Sequence, residues 1–295
     1  MKSRIFPTLS ALFAVVIWGG TFIATKIALT EVSPATIVWI RFGIGVLILG
    51  ATVLARKQFA IPEKSEWAYF ALLGFLGVTF HQWLQANGLK TAQATTTAWI
   101  VATTPVFIAI LGWLVLKEKM GWQRVGGIAL AALGVLLIVS KGNLSALFAG
   151  KEGTFGDLLV LISAPNWAVF SILSRRELAR HPAARMMFYV MLSGWLFTSI
   201  WIFGFGPGLT ELPRLTASGW AAILMLGVFG SGLAYIAWYD ALQALPASQL
   251  GAFLYIEPLV AMAMAAFMIG EAITVISLAG GAIIIFGVWL VNRQR

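Results

Sequence analysis

Apolar residues fill long, nearly unbroken blocks along this chain, and polar residues gather in the short gaps between them. A helix needs about 20 mostly apolar residues to cross a bilayer. The blocks predict ten such helices, at 6–27, 34–55, 67–88, 94–116, 121–140, 155–175, 185–204, 217–240, 247–268 and 272–291. The expected fold is therefore all-α, a polytopic membrane protein. The first block follows Lys2 and Arg4 but has no small-residue cleavage site and is followed at once by a second block. It reads as a retained helix and not as a leader.

Composition supports a membrane location. Of 295 residues, 60% are hydrophobic and only 11% charged, with a mean hydropathy of +0.91, whereas soluble domains carry about 25% charged residues. Lys and Arg divide unevenly between alternate ends of the expected spans, fourteen on the side of the termini and five on the other, with Arg41 inside a span. Cytoplasmic segments are enriched in these residues, so both termini are expected in the cytoplasm of a cell-membrane protein. The net charge of +9 then reads as a topology signal, with attraction to anionic lipid. No soluble segment is long enough to build a nucleic-acid surface.

The two halves of the chain repeat. An offset of 153 places Pro105 over Pro258, Glu118 over Glu271, Gly127 over Gly280 and Gly134 over Gly287, while an offset of 149 places Trp18 over Trp167 and Lys26 over Arg175. The expected organisation is a five-helix unit over residues 1–140, an external linker at 141–154 and a second five-helix unit over 155–295. An odd number of spans per unit inverts the second copy, an architecture used by secondary transporters around a central cavity with alternating access.

On these residues a resemblance can be named. Trp18-Gly19-Gly20-Thr21-Phe22, Arg41-Phe42, Glu257-Pro258, Gly270-Glu271 and Gly280-Gly281-Ala282, in this order over ten spans, resemble the EamA branch of the drug/metabolite transporter superfamily. More narrowly, the chain resembles YddG-type exporters of aromatic amino acids. The resemblance implies a ten-helix basket around a substrate cavity and export of small organic solutes. The first half departs from the second in having Thr104 where Glu257 stands.

Candidate site residues follow from chemistry that is costly in hydrocarbon. Pro105, Pro165 and Pro258 each remove a backbone donor inside a span, and with Gly19 and Gly20 they are the expected points of helix breaking or gating. Matched interruptions in two halves point to a transport site, although prolines in spans also serve packing alone. Glu257 costs about 2.5–3.5 kcal/mol if ionised at the bilayer centre. It either binds a substrate ammonium or exchanges a proton, or it satisfies backbone groups freed by Pro258. His81 is either a neutral helix contact or a cavity donor. Trp18, Trp99, Asn166, Trp167 and Tyr255 offer ring faces and polar ends suited to a flat ligand with a charged end, against the alternative of interhelical packing. For Arg41 a structural pairing is preferred to capture of a substrate carboxylate. His181, in a basic loop, is given no role. Glu118 and Glu271 read as solvated turn or cap residues, and the Gly126-Gly127 and Gly280-Gly281 pairs as points of close helix approach.

Several functions are excluded or demoted. The chain has no cysteine, hence no disulfide, thiolate metal site or thiol nucleophile, and no cofactor or metal is expected. No phosphate-binding loop is present for an ATP-driven pump. His81 is followed by Gln82 and has no nucleophile or metal-ligand partner in sequence, which argues against an intramembrane enzyme. The remaining readings are export of aromatic or other hydrophobic amino acids, export of lipophilic cations or drugs, and a membrane channel. The expected partners are a small-molecule substrate and the lipid bilayer, with oligomeric state left open.

Overall fold

The computed structural model describes residues 5–116, 121–149, 152–245, 250 and 253–293. Its described residues are helical or irregular, with no strand. Eight stretches are long and apolar enough to cross a membrane: Ile5–Leu29, Pro34–Ala55, Ala94–Leu114, Trp122–Val139, Phe155–Arg175, Ala183–Gly204, Ala217–Ala244 and Val275–Asn292. Ile256–Ile269 is a shorter apolar helix. The expected third span lies in a continuous helical stretch, Lys64–Gly88, which is not among the eight. His81, Gln82, Gln85 and Asn87 make its second half polar. The start of the expected ninth span, at 247–249 and 251–252, and Glu118 lie outside the described residues.

We number the helices α1 (Ile5–Leu29), α2 (Pro34–Ala55), α3 (Lys64–Gly74), α4 (His81–Gly88), α5 (Ala94–Val101), α6 (Thr104–Leu116), α7 (Trp122–Val139), α8 (Leu144–Phe148), α9 (Phe155–Leu178), α10 (Ala183–Gly204), α11 (Ala217–Leu224), α12 (Ala234–Ala244), α13 (Ile256–Ile269) and α14 (Val275–Asn292). Two π-helical segments join neighbours without a break: Phe75–Phe80 between α3 and α4, and Met225–Leu233 between α11 and α12. Each contains the tripeptide Leu-Gly-Val, at 76–78 and 226–228, so the same local irregularity recurs 150 residues apart.

Large side chains point both ways. Phe42, Phe70, Phe170 and Met186 are fully buried between helices, whereas Phe267 and Trp122 are each 90% exposed. A soluble surface would not carry bare rings of this kind along its helices; hydrocarbon covers them without penalty. With lipid as apolar as the helix faces, contact must come from shape. Helices α7 and α14 meet at their backbones, antiparallel. A Cβ on Gly127 would stand 2.6 Å from the Gly287 carbonyl oxygen, and one on Gly134 would stand 2.7 Å from that of Gly280. Gly126, one residue away, faces nothing within 4 Å, so only the second member of that pair serves close approach.

Carboxylates at one end of the bundle serve helix starts that are remote in sequence. Glu31 accepts from Thr216, the residue capping α11, at 2.7 Å from both its backbone N and its Oγ1. Glu211 accepts from Ser33 N at 2.9 Å and Thr36 Oγ1 at 2.5 Å, where Ser33 caps α2. Glu271 accepts from Ala94 N at 2.8 Å and Thr95 N at 3.1 Å at the start of α5, with Lys26 at 3.8 Å. Each places negative charge on orphan N–H groups, where the helix dipole favours it. Glu271 is thus a cap, as expected, but of a helix 176 residues before it. At the opposite end Arg56 grips Asp240 through two bonds, 2.9 and 2.7 Å. There His181 is 8% exposed, with Nε2 at 2.8 Å from Glu66 and 3.2 Å from Glu177 and with Arg185 against its Nδ1, so it staples α3 to α9 and α10.

Two predictions follow from these contacts. Gly127→Ala is expected to destabilise by about 1–3 kcal/mol through overpacking, while Gly126→Ala is neutral or stabilises by up to about 1 kcal/mol; thermal unfolding in detergent separates them. The second concerns acid. Hydrogen bonds from the side chain and backbone of Thr216 hold the Glu31 carboxyl below its ordinary range. Burial pushes Glu211 up, but bonds from Thr36 and Ser33 with nearby Arg214 outweigh it and set it below. Groups depressed in the folded state stabilise above their unfolded pKa of about 4.3 and lose that contribution as pH falls through the folded value. The melting temperature should therefore drop below about pH 4, and Glu211→Gln should flatten that drop.

Candidate functional site

The interruptions of the helices converge on one place. Between α5 and α6 the helix opens at Ala102-Thr103, and before α13 it opens at Leu254-Tyr255. Pro105 and Pro258 fall in the first turns of α6 and α13, where a proline lacks no intrahelical partner. The carbonyls before the first opening are served locally: Thr103 donates to Ile100 O through Oγ1 at 2.6 Å and through its backbone N at 3.1 Å, and Thr104 Oγ1 donates to Val101 O at 2.7 Å. At the second opening no side chain of the described residues bonds to the Glu257 carboxylate.

At each π segment a side chain from a distant helix donates to a backbone carbonyl. Asn166 Nδ2 donates to Leu76 O at 2.8 Å, and Trp18 Nε1 donates to Gly230 O at 3.2 Å. π-Segments are often found where function needs an off-register helix. Here His81 follows directly on the first segment and Ser231 lies within the second.

Between these features lies a cavity with an internal volume of about 80 Å³, enough for several waters. Of the residues expected from sequence, Trp18, His81, Pro105, Trp167, Glu257 and Pro258 line it. Thr104 and Glu257, the mismatched pair of the repeat, both face it. The His81 ring lies 4.6 Å from that of Trp167, and Trp18 packs 5.5 Å from Tyr235 and 5.3 Å from Trp238, building an aromatic wall on each side. Tyr235, Arg41, Gln82, Gln85 and Thr21 complete the polar lining. None of these five was among the expected substrate contacts.

The other expected residues lie outside the cavity wall. Trp99 is 1% exposed and packs over Gly281 of α14. Tyr255 joins the same cluster as Trp99, and its hydroxyl accepts from Asn292 at 3.2 Å. Asn166 is spent on Leu76. Helix α9 continues through Pro165 and α1 through Gly19 and Gly20. Gly19 marks a contact instead: a Cβ there would stand 2.7 Å from Glu257 O, so α1 touches the backbone that carries the acid.

One group could in geometry receive a metal. Ligand atoms of Glu66, Glu177 and His181 lie within 4.8 Å of one another. Arg185 against His181 Nδ1 and Arg180 at 3.7 Å from Glu177 place positive charge there already, which makes the trio an ion-pair staple rather than a cation site.

The sequence model of the EamA-like transporter family matches residues 5–140 and 154–293. An uncharacterized transporter of Archaeoglobus fulgidus is 31% identical over 281 residues, covering 95% of this chain and 94% of its own. A protein of Streptantibioticus cattleyicolor described as a probable terminal-alkyne amino-acid exporter is 27% identical, covering 95% of this chain and 91% of its own. An uncharacterized inner membrane transporter of Escherichia coli is 28% identical, at 99% and 92%. A solved crystal structure superposes with a TM-score of 0.70 at 21% identity, over 98% of this chain and 99% of that one, a likeness of fold.

Asn166→Leu keeps the branching and heavy-atom count of the side chain and removes the bond to Leu76 O. It is expected to destabilise by about 1–2 kcal/mol, read as a lower melting temperature, without removing any group from the cavity wall.

Proposed function

The chain belongs to the EamA-like transporter family, a multi-pass membrane family of transporters, and we propose that it is a secondary exporter of small organic solutes, foremost aromatic or other hydrophobic amino acids. The observation that carries this reading is the cavity where interrupted helices meet, walled by Trp18, Trp167 and Tyr235 and holding the Glu257 carboxylate. Ring faces hold a flat apolar side chain, and the acid receives an ammonium. The amino-acid exporter among the relatives supports the substrate class.

The mechanism proposed is alternating access between two inverted five-helix units, residues 1–140 and 155–295, joined by the linker 141–154. Ten spans result when Lys64–Gly88 and the segment containing α13 are counted with the eight. Support comes from the two stretches matched by the family model and from the α7–α14 contact. In that contact Gly127 meets Gly287 and Gly134 meets Gly280, so residues related by the 153-residue offset exchange partners, as across a two-fold axis. The excess of Lys and Arg on the side of the termini supports a cell-membrane protein with both ends in the cytoplasm. No catalytic chemistry is assigned. Export of lipophilic cations is the second reading, favoured by the same acid among aromatic rings; a channel is the third.

Counterflow in proteoliposomes tests all three. Labelled phenylalanine and tryptophan are expected to accumulate against preloaded unlabelled amino acid, above empty vesicles, with and without an imposed pH gradient. Glu257→Gln should lower this uptake about tenfold or more, as loss of one charged contact in a buried site does. Exchange only of organic cations would replace the amino-acid reading with the second, and current without counterflow would replace both with a channel. Gradient-driven uptake that Glu257→Gln abolishes would make Glu257 the proton site.

A further inference from the structure

Arg41 is the charged group of the cavity that the reading above leaves unused. It projects from α2, is 5% exposed and lines the cavity. Nε donates to Ser231 Oγ at 3.0 Å and Nη1 to Gln82 Oε1 at 3.2 Å, while the guanidinium carbon lies 5.0 Å from the centre of the Phe42 ring. Every one of these partners is neutral. Among the described residues no carboxylate pairs with it, although ion pairs hold the chain together at both ends of the bundle.

A guanidinium inside a low-dielectric bundle is strongly disfavoured unless an anion answers it. Ser231 and Gln82 orient the fork without neutralising it. A guanidinium has five donors; the bonds above use two, leaving both hydrogens of Nη2 and one of Nη1. A planar pair of N–H groups of that kind matches a carboxylate in bidentate geometry. Gly230 lies beside the fork: a Cβ there would stand in ordinary contact with Nη2, at 3.5 Å. The carbonyl of the same Gly230 receives the Trp18 indole, so an aromatic face and the free fork adjoin one residue. Glu257 lines the same cavity yet makes no ion pair with Arg41. A guanidinium and a carboxyl group are thus kept apart within one cavity, the pair of groups that a ligand with an ammonium and a carboxylate would engage.

We propose that Arg41 anchors the carboxylate of the transported solute, so that the site takes aromatic carboxylates, zwitterionic ones best, and discriminates against the decarboxylated amines. This rests on the transport reading of the same cavity and names the chemistry its ligand must have.

The test measures binding to purified protein by calorimetry with three probes: phenylalanine, 3-phenylpropionate and phenethylamine. Wild type is expected to bind the two carboxylates. Arg41→Gln should weaken both by about 30-fold or more and leave phenethylamine unchanged or tighter, with Arg41→Lys intermediate because it keeps charge and loses the fork. Should Arg41→Gln not fold, Ser231→Ala retains the charge and frees only Nε; it should weaken the carboxylates about threefold to tenfold and spare the amine. Wild type that binds phenethylamine as tightly as phenylalanine and ignores phenylpropionate overturns the proposal. So does an equal loss of all three probes in Ser231→Ala and Arg41→Gln. Arg41-dependent carboxylate binding without amino-acid counterflow keeps the anchor and overturns the amino-acid reading instead; counterflow with Arg41-independent binding does the reverse.

Discussion

A backbone amide in hydrocarbon has no water to fall back on, and this constraint organises the whole molecule. Regular helix meets it without help along most of the chain. Where the helix is irregular, a side chain has been brought in: Thr103 and Thr104 at the opening before α6, Asn166 at the first π segment, Trp18 at the second. The irregular places surround the cavity, and the cavity is where non-helical backbone is tolerated inside a membrane. The polar interior is thus a consequence of how the interruptions are satisfied as much as of the residues placed there.

The same accounting separates two classes of charge. Glu31, Glu211, Glu271, Arg56 and Asp240 at the ends of the bundle are answered, by helix N-termini or by each other, and their work is to hold segments distant in sequence in register. The ionisable groups of the interior differ: Arg41 is held by neutral groups, and the Glu257 carboxyl by none of the described residues. Pairing them would have stabilised the empty bundle; keeping them separate leaves an interior whose electrostatics are completed from outside.

Much of the fold was legible because hydrophobic length is a property of consecutive residues. Of the two expected spans that fall outside the eight, the ninth is described only in part, and Lys64–Gly88 fails on apolarity because its second half carries His81, Gln82 and Gln85, three cavity residues. Pro105, Pro258, Glu257 and His81 were found by asking which residues hydrocarbon penalises. That question says nothing about which helix faces meet. Trp99 therefore looked like Trp18 and Trp167, yet it packs over Gly281, while Asn166 looked like a ligand donor and serves a carbonyl 90 residues away. Arg41 was read as needing a partner; only three dimensions could tell that its partners are neutral. The π segments carry no propensity signal: Leu-Gly-Val stands in both, but also at 133–135 in the regular helix α7, so the tripeptide alone does not mark them.

The carboxylate caps carry an implication for how the protein is made. Helix α2 begins at a Ser33 amide served by Glu211, and α5 begins at Ala94 and Thr95 amides served by Glu271. Synthesis proceeds from the N-terminus, so both helix starts are inserted long before their caps exist, and water at the membrane surface must serve them in the interval. The first half is consequently unfinished as an independent body, and the ribosome must pass residue 271 before its last helix start is closed.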